Sequence, residues 1–440
     1  MEPSYVSIII LVAALGAYIS DMIPIPAIAI ASAAAMVLFK VAPASVVWAT
    51  FGQDAILLMG GMTLIGSTLS MSGAIHKLSD LIRRLSKGNA NLSIFWILLI
   101  ATFISPFVNS TTVLLMFVPL VLGVVVSAND PNITEQKYIQ ALVLMVCVGS
   151  LGTLVGTGTT IAASGLMSRA GYGEIGFFAF TPVAVVSFFL SLIYIFTVGS
   201  KIADRMVLKK PYRSDLVLEF VANYENNKKS INEDKPMTRQ AVMSVIIMVC
   251  TIIGLITNKY HQLGLGTVAV IGGLMCILTK CITFKEAVTR ISWESILILG
   301  GTLGCASALD VSGGGEVIAK AALSLFGKTL TPYILYIAMT LISGVLGQVL
   351  SNTATVGILI PIAVPLCEQL GVSPVQVIYG ITIVSTLTLM TPMSSHLQAM
   401  TVNWGSYKFI DYIKYSGPIN ILLIILVILL IPLFYPFTAP

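Results

Sequence analysis

Polar residues along this chain are confined to short clusters between long apolar runs. The runs lie near 7–19, 25–38, 55–69, 94–108, 113–126, 139–154 and 177–198, and then near 241–256, 265–278, 295–309, 332–349, 354–366, 375–390 and 419–434. Between the two sets, residues 200–238 are rich in Lys, Asp, Glu and Asn. A helix needs about 20 apolar residues to cross a hydrocarbon core of ~30 Å, so this pattern predicts an all-α polytopic membrane protein. The equal layout of the two sets also predicts an internal repeat.

One stretch departs from the pattern. Residues 347–362 read GQVLSNTATVGILIPI, apolar at both ends with Ser351-Asn352-Thr353 in the middle. Flanking helices over 330–350 and 354–369, the second interrupted by Pro361 and Pro365, are each too short for a comfortable crossing. A re-entrant hairpin fits better, with its tip placing hydroxyls, an amide and free backbone groups near the membrane midplane. Irregular backbone survives there only when buried in protein or facing a water-filled site.

The repeat is present. Asp54-Ala-Ile-Leu-Leu-Met-Gly-Gly61 aligns with Glu294-Ser-Ile-Leu-Ile-Leu-Gly-Gly301, and Ser72-Gly73 with Ser312-Gly313. Farther on, Asn109-Ser110-Thr111 with Pro119 aligns with Ser351-Asn352-Thr353 and Pro361, and Tyr172 with Tyr407. This divides the chain into a first repeat (1–198), a linker (199–238) and a second repeat (239–440). Each repeat would hold five crossings and one hairpin, about ten transmembrane helices and two re-entrant hairpins in all. Five is odd, so the second copy must be inverted relative to the first. Basic residues set the orientation. With both termini outside and the linker cytoplasmic, all of the 24 basic residues except Lys40, Arg169, Lys259, Lys320 and Lys328 fall on the inner side. The first hairpin then enters from the cytoplasm and the second from outside, in a multi-pass protein of the plasma (inner) membrane.

Composition agrees and narrows the classes. The 440 residues are 57% hydrophobic and only 10% charged, with mean hydropathy +0.96, which excludes an ordinary soluble globule. The six cysteines form no CxxC pair and read as small buried hydrophobes. His76, His261 and His396 lack metal-ligand spacing, and no break holds a Ser–His pair or a His/Asp/Glu cluster, so an enzyme is not expected. The linker's charges read as a solvated segment with a short amphipathic helix, with no nucleic-acid partner. The N-terminal MEPSYVSIII lacks a basic leader region and a small-residue cleavage site, and reads as a first span.

Two more interruptions complete a candidate site. Gly152-Thr-Leu-Val-Gly156-Thr157-Gly158-Thr159-Thr160 breaks a helix in the first half, most sharply near 156–160. Thr388-Leu-Met390-Thr391-Pro392-Met-Ser394-Ser395 does so in the second, near 390–395, where Pro392 removes a backbone donor. Paired broken elements in two inverted halves point to a transporter site at the repeat interface. Half-helix N-termini favour anions, and freed carbonyls with hydroxyl and amide oxygens suit Na⁺. No Arg or Lys lies in these four elements, so an anionic substrate would depend on dipoles, hydroxyls, amides and co-bound cations. A single Ser or Thr in an apolar helix ordinarily bonds its own backbone, and the Gly-Gly pairs ordinarily serve close packing. The triplets stand apart because position, breaks and symmetry agree. Asp54 and Glu294 read as helix-start residues, while Asp310 is an acid near the end of a crossing whose repeat partner is Ser70.

At Ser351-Asn352-Thr353-Ala354-Thr355 with Pro361, and at Thr391-Pro392 followed by Tyr407-Lys-Phe-Ile-Asp411-Tyr412, the chain resembles the divalent anion/sodium symporter family. This family is also called SLC13 or INDY, within the ion transporter superfamily. The resemblance implies a homodimer with a scaffold and a mobile transport unit working as an elevator. It implies a small anionic substrate, a di- or tricarboxylate or sulfate, moved with Na⁺ and without another cofactor. Asn109, Ser110, Thr111 and Thr157 would hold one side of the substrate, and Ser351, Asn352, Thr353, Thr391 and Pro392 the other. One Na⁺ would use Ser105, Asn109, Ser110 and the Gly156 carbonyl. A second would use Ser351, Asn352 and the Met390 carbonyl. The first triplet reads Asn-Ser-Thr where the family has Ser-Asn-Thr, and the first break lacks the family's Pro-Pro-Asn. The expectation is a Na⁺-coupled carrier of divalent anions, carboxylates ahead of sulfate. The alternatives are a cation/proton antiporter titrating Asp310, a metalloid-oxyanion carrier, and a Na⁺-independent dicarboxylate exchanger.

Overall fold

The computed structural model describes residues 2–20, 23–71, 81–82, 84–128, 133–207, 239–261, 263–326, 331–392, 394–405 and 407–437. The expected linker helix, the Ser72-Gly73 alignment and several of the basic residues that set the orientation lie outside them. Among the described residues all regular structure is helical.

The described helices of the two halves follow a similar order. The first contains α1 (Pro3–Ser20), α2 (Ile25–Leu38), short α3 (Ala44–Trp48), α4 (Asp54–Met71), α5 (Ala90–Ile104), α6 (Ser110–Ala128), α7 (Glu135–Ser150), α8 (Gly158–Arg169) and α9 (Thr181–Tyr194). A π-helical turn, Ile195–Gly199, carries α9 into α10 (Ser200–Val207). The second contains α11 (Arg239–Ile256), α12 (Leu265–Leu278), short α13 (Phe284–Arg290), α14 (Trp293–Val311), α15 (Gly314–Phe326), α16 (Pro332–Leu346), α17 (Asn352–Gln369), α18 (Val375–Thr386), α19 (His396–Gly405) and α20 (Phe409–Phe434).

The correspondence reaches single residues. After α2 the chain turns through Lys40 at φ 56°, and after α12 through Lys280 at φ 59°. Each turn is closed the same way, Val41 N–H to Met36 O and Cys281 N–H to Cys276 O, a left-handed cap that satisfies carbonyls at the helix end. A lysine there also places a cation at the negative end of the helix dipole. α4 packs on α12 and α14 on α2. A Cβ at Gly61 would overlap the Ala269 backbone, and one at Gly301 would overlap the Ala29 backbone. Each contact joins a helix of one half to a helix of the other.

Packing separates the helices into two groups. α1, α2, α4, α11, α12, α14 and α15 form one, and α5–α10 with α16–α20 form the other. Across the seam α8 rests on α4 and α14, and α17 rests on α14 and α15. Large apolar side chains face outward in helical stripes, Val242, Ile246, Val249 and Ile253 on α11 and Leu422, Ile425, Leu429 and Leu433 on α20. Such stripes are intolerable in water and natural against lipid. Four described helices are long and apolar enough to cross a bilayer: Thr181–Arg205, Arg239–Ile256, Trp293–Val311 and Phe409–Phe434. Several other apolar helices are shorter, among them Ile25–Leu38, Ala90–Ile104, Leu265–Leu278, Pro332–Leu346 and Val375–Thr386. The chain is a multi-pass integral membrane protein.

One expectation needs correction. Pro361 and Pro365 do not interrupt the second arm of the later hairpin, because α17 runs through both, as α6 runs through Pro119. The second arms are therefore 19 and 18 residues long, against 15 for the first arms α5 and α16. At 1.5 Å per residue that is roughly 27–28 Å against 22 Å. Interior prolines are tolerated here because α17 is buried along its length, with Gly315 of α15 leaving room for the Pro365 ring.

Candidate functional site

Both polar triplets lie where a helix begins after a short connection, and the arms on either side pack against each other. α5 ends at Ile104 and α6 begins at Ser110; α16 ends at Leu346 and α17 begins at Asn352. Both breaks are also present. α7 stops at Ser150 and α8 restarts at Gly158, while α18 stops at Thr386 and α19 restarts at His396. Each half's break helix packs on the other half's hairpin, α8 against α17 and α19 against α6.

In the first half the hairpin is bonded to the break at two places and to α7 before it at a third. Ser110 Oγ donates to Gly156 O at 3.1 Å, Ser105 Oγ to Val146 O at 2.7 Å, and Thr153 Oγ1 to Pro106 O. Asn109 turns its carboxamide oxygen back on α6, accepting Thr111 N–H at 3.0 Å as an N-cap does. Thr157 caps α8, accepting Thr159 N–H at 2.9 Å, and Thr160 Oγ1 donates to Leu154 O at 2.7 Å. A Cβ at Gly156 would overlap Ser150 O, so only glycine lets the chain turn there.

The second half performs the same tasks with the residues exchanged. Ser351 is the N-cap, its hydroxyl accepting Ala354 N–H at 3.3 Å. This frees Asn352, one position on, to span the gap. Its amide faces the Ser385 and Ser394 carbonyls, so the nitrogen must lie on that side, donating at 3.1 and 2.7 Å. Ser385 Oγ returns a bond to Asn352 O at 2.9 Å. Thr391 Oγ1 donates to Gln348 O, the counterpart of Thr153 on Pro106 O. Gln348 adds a clamp with no equivalent in the first half. Its Oε1 accepts Met390 N–H at 2.9 Å, and its Nε2 donates to Asn420 Oδ1 at 3.2 Å.

The expected site residues thus divide by what remains free. Ser110, Asn352 and Thr391 are committed to joining tip and break, and Asn109, Ser351 and Thr157 to capping. Thr111 and Thr353 are half-buried, with hydroxyls that donate to no described residue. Pro392 lies half-buried in the second break and Met390 beside it, its N–H held by Gln348. Ser110 Oγ and Gly156 O lie close enough to share one hard cation, which takes oxygen ligands only. Asp310 is elsewhere, its carboxylate 3.9 Å from Arg169 Nε.

Sequence reasoning missed Gln348, Thr153 and Asn420. Gln348 and Asn420 carried a usable signal, an amide inside an apolar run. Thr153, one hydroxyl among several, did not.

The family model described as CitMHS, citrate transporter, matches residues 8–357. The chain is similar to the transporter YfbS of Escherichia coli (strain K12), 27% identical over 50% of this chain and 35% of that one. It spans only about a third of the length of that relative. It is also 23% identical to the sodium-dependent dicarboxylate transporter SdcS of Staphylococcus saprophyticus, over 95% of this chain and 84% of that one. Among solved structures, Neisseria gonorrhoeae MtrF, described with a class of antimetabolite efflux pumps, superposes with TM-score 0.59. It has 18% identity and covers 97% of this chain and 94% of that one. At that identity the likeness concerns the fold.

Proposed function

The chain belongs to the citrate transporter family, and from that premise we propose a secondary active transporter of small divalent anions, di- and tricarboxylates ahead of sulfate, coupled to Na⁺. One observation carries the reading: each hairpin tip is bonded to the break of its own half through the same triplet position, Ser110 to Gly156 and Asn352 to Ser394. These bonds hold two half-helix N-termini and the free Thr111 and Thr353 hydroxyls in place without any charged side chain. Such a site attracts an anion through backbone dipoles and needs co-bound cations to neutralise it. The dicarboxylate and sodium named for SdcS support the same substrate class and coupling ion.

The halves form an inverted repeat, the hairpins are re-entrant, and the hairpin group slides as an elevator against the α1/α2/α4 group. The reciprocal Gly61–Ala269 and Gly301–Ala29 contacts support this. So does the agreement of the traced topology with observed contacts. Arg169, Asp310 and Asp54, all assigned to the outer side, cluster at one end of the seam. Lys137 and Asp204, assigned to the inner side, pair at 3.0 Å. The protein works as a homodimer in the plasma membrane, with both termini outside.

Uptake of labelled succinate and citrate into proteoliposomes, with and without an inward Na⁺ gradient, tests the proposal. Na⁺-stimulated uptake is expected; no uptake of any divalent anion refutes it. Equal uptake without Na⁺ would instead favour an exchanger.

A further inference from the structure

Among the described ion pairs, Lys137–Asp204 and Lys320–Glu316 each lie within one packing group. Arg169–Asp310 is different. Arg169 closes α8, the break helix capped by Thr157, and Asp310 lies at the end of α14 in the opposite group. We propose that this pair is a latch across the seam, holding the hairpin group at one end of its travel. The inference rests on the elevator reading above and adds to it the contact that sets the balance between end states.

The surroundings support a contact built to part. Its side chains are 22% and 48% exposed, and the Nε–Oδ2 separation of 3.9 Å is that of an ion pair without a direct hydrogen bond. Water can therefore take over both groups when they separate, as a buried pair would not allow. A cavity of roughly 220 Å³ opens beside it along the seam, lined by Asp54 and Leu58 of α4 on one side and Ser164, Gly165 and Arg169 of α8 on the other. Gly165 faces Ala55 there, with the Leu303 side chain beside it.

The other charges at this point are acids on both sides of the seam, so the Arg169–Asp310 attraction works against acid–acid repulsion and is readily undone. Glu174 lines the same cavity, and Glu368 is held within the hairpin group by the Tyr172 hydroxyl at 3.0 Å. Arg169 thus moves with Glu174 and Glu368 and faces Asp310 and Asp54 on the other group. Sliding the hairpin group would part Arg169 from Asp310 while leaving its own acids beside it. The latch therefore changes the relative population of end states and leaves the substrate site itself intact.

The test is a distance measurement by spin labels on the full chain in nanodiscs. One label replaces Tyr260, exposed on the α11–α12 connection, and the other replaces Gln369, exposed at the end of α17. Exposed Cys250 is removed in all samples. The unmutated pair is expected to give two distances. Asp310→Asn and Arg169→Gln should each shift their ratio roughly two- to five-fold in the same direction, the range of a partly exposed ion pair. The exchanged pair R169D/D310R should restore it, which excludes a folding defect as the cause. Two distances with an unchanged ratio in both single variants overturn the latch alone. A single distance at every Na⁺ and succinate concentration overturns the elevator reading with it.

Discussion

The two hairpin tips do the same work with permuted residues. In the first, the amide caps the helix and the hydroxyl reaches the break; in the second, the hydroxyl caps and the amide reaches. A capping position accepts Asn and Ser about equally, so the exchange costs little there. At the reaching position the two side chains differ in length and in donor number. Ser110 reaches one carbonyl; Asn352 reaches two, and Gln348 adds a third link from the same hairpin. The second tip is therefore the more heavily tied. Away from the tips the halves agree closely, down to Lys40 with Lys280 and Gly61 with Gly301. Divergence is concentrated where ligands would bind.

The largest effect is expected at Asn352. Asn352→Ala should reduce succinate uptake at least ~100-fold, because it removes the bridge and the donor to the Ser394 carbonyl, at about 1–3 kcal/mol for a group left unpaired, while Ser385 O keeps its bond from Thr388 Oγ1. Size-exclusion elution should be unchanged. Near-normal uptake would show that the bridging amide is not part of the site.

Gly357 comes next. Any Cβ there would overlap the Thr302 side chain across the seam. Gly357→Ala should slow transport and cost about 1–3 kcal/mol in thermal unfolding, the range for overpacking. Unaltered melting would mean that the seam is looser than described.

Ser110→Ala should cost about 1 kcal/mol, one net hydrogen bond, with a smaller loss of uptake than Asn352→Ala. An equal or larger loss would reverse the ranking of the two tips. By contrast, Asn109→Ser keeps a cap and should lower stability by only a few tenths of a kcal/mol, whereas Asn109→Ala should cost about 1. Thermal melts of the two variants side by side decide this.

The smallest effect concerns the part where the halves agree. Lys40→Gly and Lys280→Gly each relieve a left-handed residue that costs about 1–2 kcal/mol and lose about 0.5–1 to chain entropy. Both should raise stability slightly and by the same amount. Opposite signs in a melting assay would break the symmetry.

Much of this was legible in the sequence because the membrane forces polar and irregular positions to declare themselves. The hairpin tips and both breaks follow from polar residues that an apolar run does not otherwise contain. The caps of α2 and α12 were invisible because lysine, not glycine, occupies the left-handed position. Pro361 and Pro365 misled because a buried helix tolerates what an exposed one does not. The division of labour within each triplet could not be read from composition. It depends on which residue sits at the helix start, and the offset of one position between Asn109 and Asn352 decides it.

The central claim is that Asn352 and its partners assemble one Na⁺-dependent anion site. Calorimetric titration of purified protein with succinate or citrate, at zero and saturating Na⁺, tests it most directly. Binding by the unmutated chain only when Na⁺ is present, and none by Asn352→Ala, is the predicted result. Equal binding by both proteins would contradict it.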